Sequence, residues 1–185
     1  MEPTRGRIER SGRVALLLQN PGDYFIHDRV GDELDAAALE RAGLAALADR
    51  HPRDCSGGER QRLALAIVTG GEEPPAVLCL DEPTRGMDRS AKALLAAELV
   101  GWSARGVAVI VATHDPEFAA SFATRAILLA DGRVVADSSP ADLLSGGWYF
   151  ATETARILGG HRGILTAPQA LAQLRTGRAA LESLP

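Results

Sequence analysis

The run Ala76-Val77-Leu78-Cys79-Leu80 closes on Asp81-Glu82-Pro83-Thr84. Five apolar residues without polar alternation, entered from Pro74-Pro75, predict a short strand buried on both faces of a parallel sheet. The two carboxylates then fall at its C-terminal end, the edge at which open α/β sheets bind ligands. Neighbouring strand residues point to opposite faces, so Asp81 and Glu82 are expected to serve different atoms. One would hold a metal ion while the other orients or deprotonates a water. For an isolated Asp-Glu pair the preferred reading is that Asp81 caps the following helix and Glu82 is solvated, and only the rest of the chain reverses it.

Two other apolar runs end in the same way. Arg13 to Leu18 leads into the turn-forming cluster Gln19-Asn20-Pro21-Gly22-Asp23, and Val107 to Ala112 leads into Thr113-His114-Asp115-Pro116. Gln19 and His114 therefore also stand at C-terminal strand ends. Either alone reads as an ordinary loop or cap residue; the coincidence with the carboxylates is what makes them candidates.

Between these runs, residues 32–50 have helical Ala and Leu spacing broken near Gly43, which predicts a helical arm. The segment Cys55-Ser56-Gly57-Gly58-Glu59 then opens a helix expected over 63–68. Ser56 is a natural N-cap with Glu59 as its capping-box partner. A cap does not require both Gly57 and Gly58, and glycines entering a helix expose N–H groups at its positive end, an anion site. Asp88 is placed to cap a helix over 89–102. Asp131-Gly132 predicts a hairpin between 126–130 and 133–136. Helices near 140–144, 152–158 and 168–175 follow, with Trp148-Tyr149-Phe150 between the first two.

A chain of 185 residues suits one domain with a small appendage. Hydrophobic residues make up 46% but aromatics only 4%, so the core is expected to be Ala, Leu and Val. No apolar run approaches the roughly 20 residues that span a bilayer, and the first residues lack a signal-peptide core, so a soluble cytosolic protein is expected. The net charge of -4, without a basic block, argues against a nucleic-acid surface. Cys55 and Cys79 lack metal-ligand spacing and are expected to act as small buried hydrophobes or as incidental thiols in a reducing compartment.

In order and spacing these segments resemble the nucleotide-binding subunit of ATP-binding-cassette (ABC) proteins. Gln19 resembles the Q-loop glutamine, Cys55 to Glu59 a variant of the Leu-Ser-Gly-Gly-Gln signature, and Val77 to Glu82 the Walker B strand with its glutamate. Asp88 resembles the D-loop aspartate and His114 the switch histidine. Cys55 stands where Leu is usual, and Glu59 where Gln is. A narrower resemblance, to ATPase subunits of energy-coupling-factor transporters that import vitamins or cobalt and nickel ions, rests on Leu18 to Phe25, Phe150 to Leu158 and Gly163 to Pro168.

The resemblance implies an α/β fold, a partial P-loop NTPase (RecA-like) parallel sheet with a helical signature subdomain and a small C-terminal α/β appendage. An incomplete ATPase domain would cover 1–145, with the helical subdomain at about 28–70, and a helical appendage 146–185. ATP and Mg²⁺ are the implied cofactors. By position, Asp81 would hold magnesium through water, Glu82 would be general base, Gln19 would sense metal and γ-phosphate, and His114 would contact that phosphate. Ser56, Gly57, Gly58 and Glu59 would bind the nucleotide of a second ATPase subunit, with Asp88 crossing the dimer interface. The remaining implied partners are integral membrane transporter subunits, which would hold the protein on the inner face of the cell membrane, and no nucleic acid.

One element of the family pattern is absent from this sequence. A Walker A loop needs a Gly-rich backbone, a Lys and a Ser or Thr; the only lysine, Lys92, lies in Ser90-Ala91-Lys92-Ala93. Glu2 to Ile8 resembles the segment after the Walker A helix, so the chain is expected to begin inside the domain and to be inactive alone. Alternatives are a non-hydrolytic half-site that completes a partner's ATP site, and a non-functional fragment. A DNA-repair or translation ATPase would be expected to show a long coiled coil or basic arm, and neither is visible.

Overall fold

The computed structural model describes residues 5–9, 11–146, 150–160 and 163–182. The expectations placed on Glu2 to Thr4 and on Trp148 and Tyr149 lie outside these residues. The chain divides into two compact units, one running to Ala112 and the other starting at Thr113.

The first unit runs β1 (Val14–Leu17), α1 (Val30–Glu33), α2 (Ala36–Arg41), α3 (Gly57–Thr69), β2 (Val77–Asp81), α4 (Arg89–Ala104) and β3 (Ala108–Ala112). The strands form a parallel sheet in the order β1-β2-β3, as the uninterrupted apolar runs predict. Burial on both faces does not follow. Ala15, Leu17, Leu78 and Leu80 are buried, and α3 and α4 lie against β1 and β3. On the other side Leu16, Cys79 and Ile110 stand in register, with Leu16 48% and Ile110 59% exposed. An apolar run records that a strand can be covered twice; it does not record whether it is.

The helical arm is a set of short pieces with its own core. Val30, Leu39, Leu44, Cys55 and Leu63 form a buried cluster, against which Phe25, Leu47 and Ile67 pack. The break at Gly43 is real: its φ is +66°, the conformation glycine tolerates best, and it ends α2. Cys55 is buried as expected, whereas Cys79 is only half-buried because its side of the sheet is open.

The second unit contains α5 (Pro116–Phe122), β4 (Ala126–Ala130), β5 (Arg133–Ser138), α6 (Pro140–Leu144), α7 (Glu153–Ile157) and α8 (Ala167–Glu182). β4 and β5 form the antiparallel hairpin expected from Asp131-Gly132, whose φ values of 50° and 71° suit a tight turn. Leu144, Ala155 and Leu165 make its small core, joined by Ala119 and Ala120. The sequence reading missed α5, although Asp115-Pro116 carries its start signal: the Asp115 carboxylate accepts from the Phe118 N–H at 3.0 Å.

Candidate functional site

The signature-like segment forms the start of α3. Ser56 is its N-cap: the Glu59 N–H donates to Ser56 Oγ at 3.3 Å, and the Ser56 N–H donates to Glu59 Oε2 at 2.7 Å. This reciprocal box starts the helix at Gly57, six residues before the expected Leu63. The hydrogen bond from the Ser56 backbone holds the Glu59 carboxyl below its ordinary value. Both glycines turn out to have a packing reason. A Cβ on Gly57 would lie 2.8 Å from the Gly86 carbonyl oxygen, and one on Gly58 would lie 3.2 Å from the Ala91 Cβ. Close packing against the turn after β2 and against the first turn of α4 thus gives each glycine a structural reason of its own.

At the end of β2, Asp81 is the last strand residue, paired with Ala112, and its side chain is exposed. By strand alternation it shares the open side with Cys79. Glu82 lies outside the strand, at φ +46°, with its N–H donating to the Ala112 carbonyl at 2.9 Å. Glu82 has therefore left the strand's alternation, and pleating does not set the direction of its side chain relative to Asp81. That conformation costs a non-glycine residue roughly 1–2 kcal/mol, a strain of the kind found at functional sites. Pro83 and Thr84 are buried beyond it, and Asp88 caps α4, accepting from the Ala91 N–H at 2.8 Å and the Ser90 hydroxyl at 2.7 Å. The Ala91 bond first, then that of Ser90, lowers the Asp88 carboxyl below its ordinary value.

Gln19 and Gly57 are brought to one cavity of about 760 Å³. Its other lining includes Arg53, Arg60, Arg85, His27 and His51, with Asp28 the acid among them. His51 Nδ1 accepts from the Arg53 N–H at 3.0 Å, and its Nε2 lies 3.6 Å from Asp28. No ion pair among the described residues neutralises the three arginines. Sequence reasoning passed over them, although Arg53 and Arg60 flank the signature-like segment. Asp81, Glu82 and Asp88 do not line this cavity. His114 belongs to the second unit, where it is exposed in the loop after β3.

The described residues contain no cluster of His, Cys, Asp or Glu able to hold a metal by itself. Asp81 offers an exposed carboxylate, which suits Mg²⁺, an ion commonly held by one or two carboxylates together with substrate phosphates. Lys92 lies within α4 with no glycine-rich loop before it, so it is not the lysine of a phosphate-binding loop.

A parallel sheet with acidic residues at its C-terminal edge and a capped glycine-rich helix start is the architecture of a nucleotide-handling α/β domain. Residues 5–85 match the family model described as ABC transporter. Over 168 residues the chain is 41% identical to a Streptomyces coelicolor protein named as an ABC transporter ATP-binding protein, covering 84% of this chain and 30% of that one. Residues 5–85 thus carry the ABC transporter family pattern, and the chain is similar over most of its length to ATP-binding proteins of ABC transporters. It is also 38% identical over 146 residues to YkoD of Bacillus subtilis, named for HMP/thiamine import, covering 72% of this chain and 26% of YkoD. It therefore spans less than a third of the length of either relative. CbiO1 of Clostridium perfringens, described as part of the ABC transporter complex CbiONQ, shares the fold, with a TM-score of 0.64 at 24% identity over 88% of this chain and 67% of that one.

Proposed function

We propose that these residues form the trans-acting half of an ATP site in an ABC importer for a vitamin or metal ion. The observation that carries the reading is the start of α3 at a cavity lined by Gln19, Gly57 and three arginines that no ion pair among the described residues neutralises. Free N–H groups at a helix start and unneutralised guanidinium groups both favour a phosphate. The import of HMP/thiamine named for YkoD and the CbiONQ assembly named for CbiO1 support the substrate class and membrane subunits as partners.

In this reading an incomplete ATPase domain covers 1–145, with its helical part at about 28–70, and 146–185 form an appendage. Ser56, Gly57 and Gly58 receive the γ-phosphate of a nucleotide held by a second ATPase subunit, and Glu59 fixes the cap. Asp88 reaches the dimer interface. In a site that also has a phosphate-binding loop, Asp81 would hold Mg²⁺ through water, Gln19 would sense the metal and the γ-phosphate, Glu82 would serve as general base and His114 would contact the γ-phosphate. Bound Mg²⁺ supplies charge neutralisation of the phosphates. These 185 residues contain no Gly-Lys-Ser/Thr loop, so hydrolysis by them alone is not expected.

The test is complementation. A complete relative is inactivated at its own signature serine and mixed with this chain. Recovered ATP hydrolysis, lost again with Ser56→Arg, supports the reading; hydrolysis that is absent or indifferent to Ser56 defeats it.

A further inference from the structure

The C-terminal end of α3 is held by a residue from another element. Arg13, immediately before β1, donates from Nη1 to the Val68 carbonyl at 2.9 Å, from Nη2 to Thr69 at 3.1 Å and from Nε to Glu73 at 3.2 Å. A helix leaves its last four carbonyls without intrahelical partners. In α3 the Gly70 N–H serves those of Ala66 and Ile67, and Arg13 serves the remaining two, Val68 and Thr69. The carbonyl of Arg13 in turn accepts from the N–H groups of Ala76 and Val77, at the start of β2. One residue therefore joins the strand that leads to Gln19, the strand that ends in Asp81, and the helix that begins at Ser56.

The other end of α3 has little slack. Gly57 meets the Gly86 carbonyl so closely that a Cβ would stand 2.8 Å from it, which blocks sliding in that direction. Arg13 grips the far end, about 20 Å away for 13 residues at 1.5 Å each. Its cation also suits the negative end of the helix dipole, while Glu59 occupies the positive end.

The geometry points to Arg13 as a positioning residue that fixes the axial placement of α3, and through it the placement of Gly57 at the cavity and of the Ser56 cap beside it. Its role in catalysis rests on the function proposed above; its role in placing α3 does not. A plain helix cap differs in one respect. Losing a cap frays residues 66–70, whereas losing a positioning contact also loosens residues 57–60 at the opposite end.

Amide hydrogen exchange of the full chain separates the two. In Arg13→Met, exchange is expected to rise about tenfold at the bonded amides within 57–60, those of Glu59 and Arg60, as well as at 66–70. Arg13→Lys, whose ammonium reaches fewer of the three carbonyls, should give an intermediate rise at both ends. Leu99→Ala, in the α4 core, serves as a stability-matched control and should not single out 57–60. A rise confined to 66–70 in both Arg13 variants overturns the proposal. In the complementation assay Arg13→Met is expected to lower kcat by about tenfold to a hundredfold with KM little changed, since small misplacements act on the reacting geometry. An unchanged kcat beside a raised exchange at 57–60 overturns the catalytic part. If Ser56→Arg has no effect in that assay, the functional reading fails while the exchange result on Arg13 stands.

Discussion

Gly57 and Gly86 meet where the start of α3 crosses the turn after β2, with no room between them for a methyl group. Gly57→Ala must push backbone against backbone, and a loss of about 1–3 kcal/mol is expected. Gly58→Ala faces only the Ala91 methyl at 3.2 Å and should lose less. Gly86→Ala has open space but a φ of +73°, so roughly 1–2 kcal/mol is expected from the backbone alone. Urea midpoints of the three variants test this ranking.

The cap on α3 gives stability a pH dependence of known sign. The Ser56 N–H lowers the folded-state pKa of Glu59 below its ordinary value of 4.5. The contribution is therefore fully present above that value and is lost as pH falls through the folded pKa. Glu59→Gln keeps an acceptor for the Ser56 N–H and removes the titration, so its stability should fall less steeply below about pH 4.5. Ser56→Ala should lose about 1 kcal/mol, at neutral pH as well. Thermal midpoints from pH 7 to pH 3 distinguish the two.

A trans-acting site separates residues that otherwise fail together. When hydrolysis takes place at a partner's Walker motifs, Ser56→Arg in this chain should abolish it, whereas Glu82→Gln in this chain should leave it unchanged. Replacing the partner's own general base should lower turnover about 10²–10⁴-fold. Sensitivity to Glu82→Gln in this assay would instead place the chemistry in the chain itself.

The three arginines at the cavity should govern anion affinity. Replacing Arg53, Arg60 and Arg85 together with Gln is expected to weaken binding of inorganic tripolyphosphate and to flatten its dependence on salt. Calorimetry at two ionic strengths measures both effects; equal affinities at both would remove these residues from the site.

How much of this was legible beforehand depended on the range of the interaction. The capping box of Ser56 and Glu59, the Asp88 cap and the Asp131-Gly132 turn are set by neighbours within three residues, and each forms as the sequence predicts. The parallel pairing of β1, β2 and β3 also followed from their apolar runs. The open side of the sheet did not, because coverage depends on distant elements and leaves no mark on Leu16 or Ile110. Strand alternation does not describe Asp81 and Glu82 as a pair, because Glu82 has left the strand for a left-handed conformation that its sequence does not announce. Arg53, Arg60 and Arg85 were invisible as a group since 25 residues separate Arg60 from Arg85 and only folding brings them to one cavity.

The open side of the sheet carries its own reporter. Cys79 stands in register between Leu16 and Ile110, two residues before Asp81 on the same strand side, while Cys55 is buried in the helical arm. The rate of alkylation at Cys79 therefore registers any element that comes to lie over the sheet, with Cys55 as a silent internal reference. Because Asp81 shares that side, one thiol footprint follows both the shielding of the apolar rows and the arrival of whatever completes the carboxylate's surroundings.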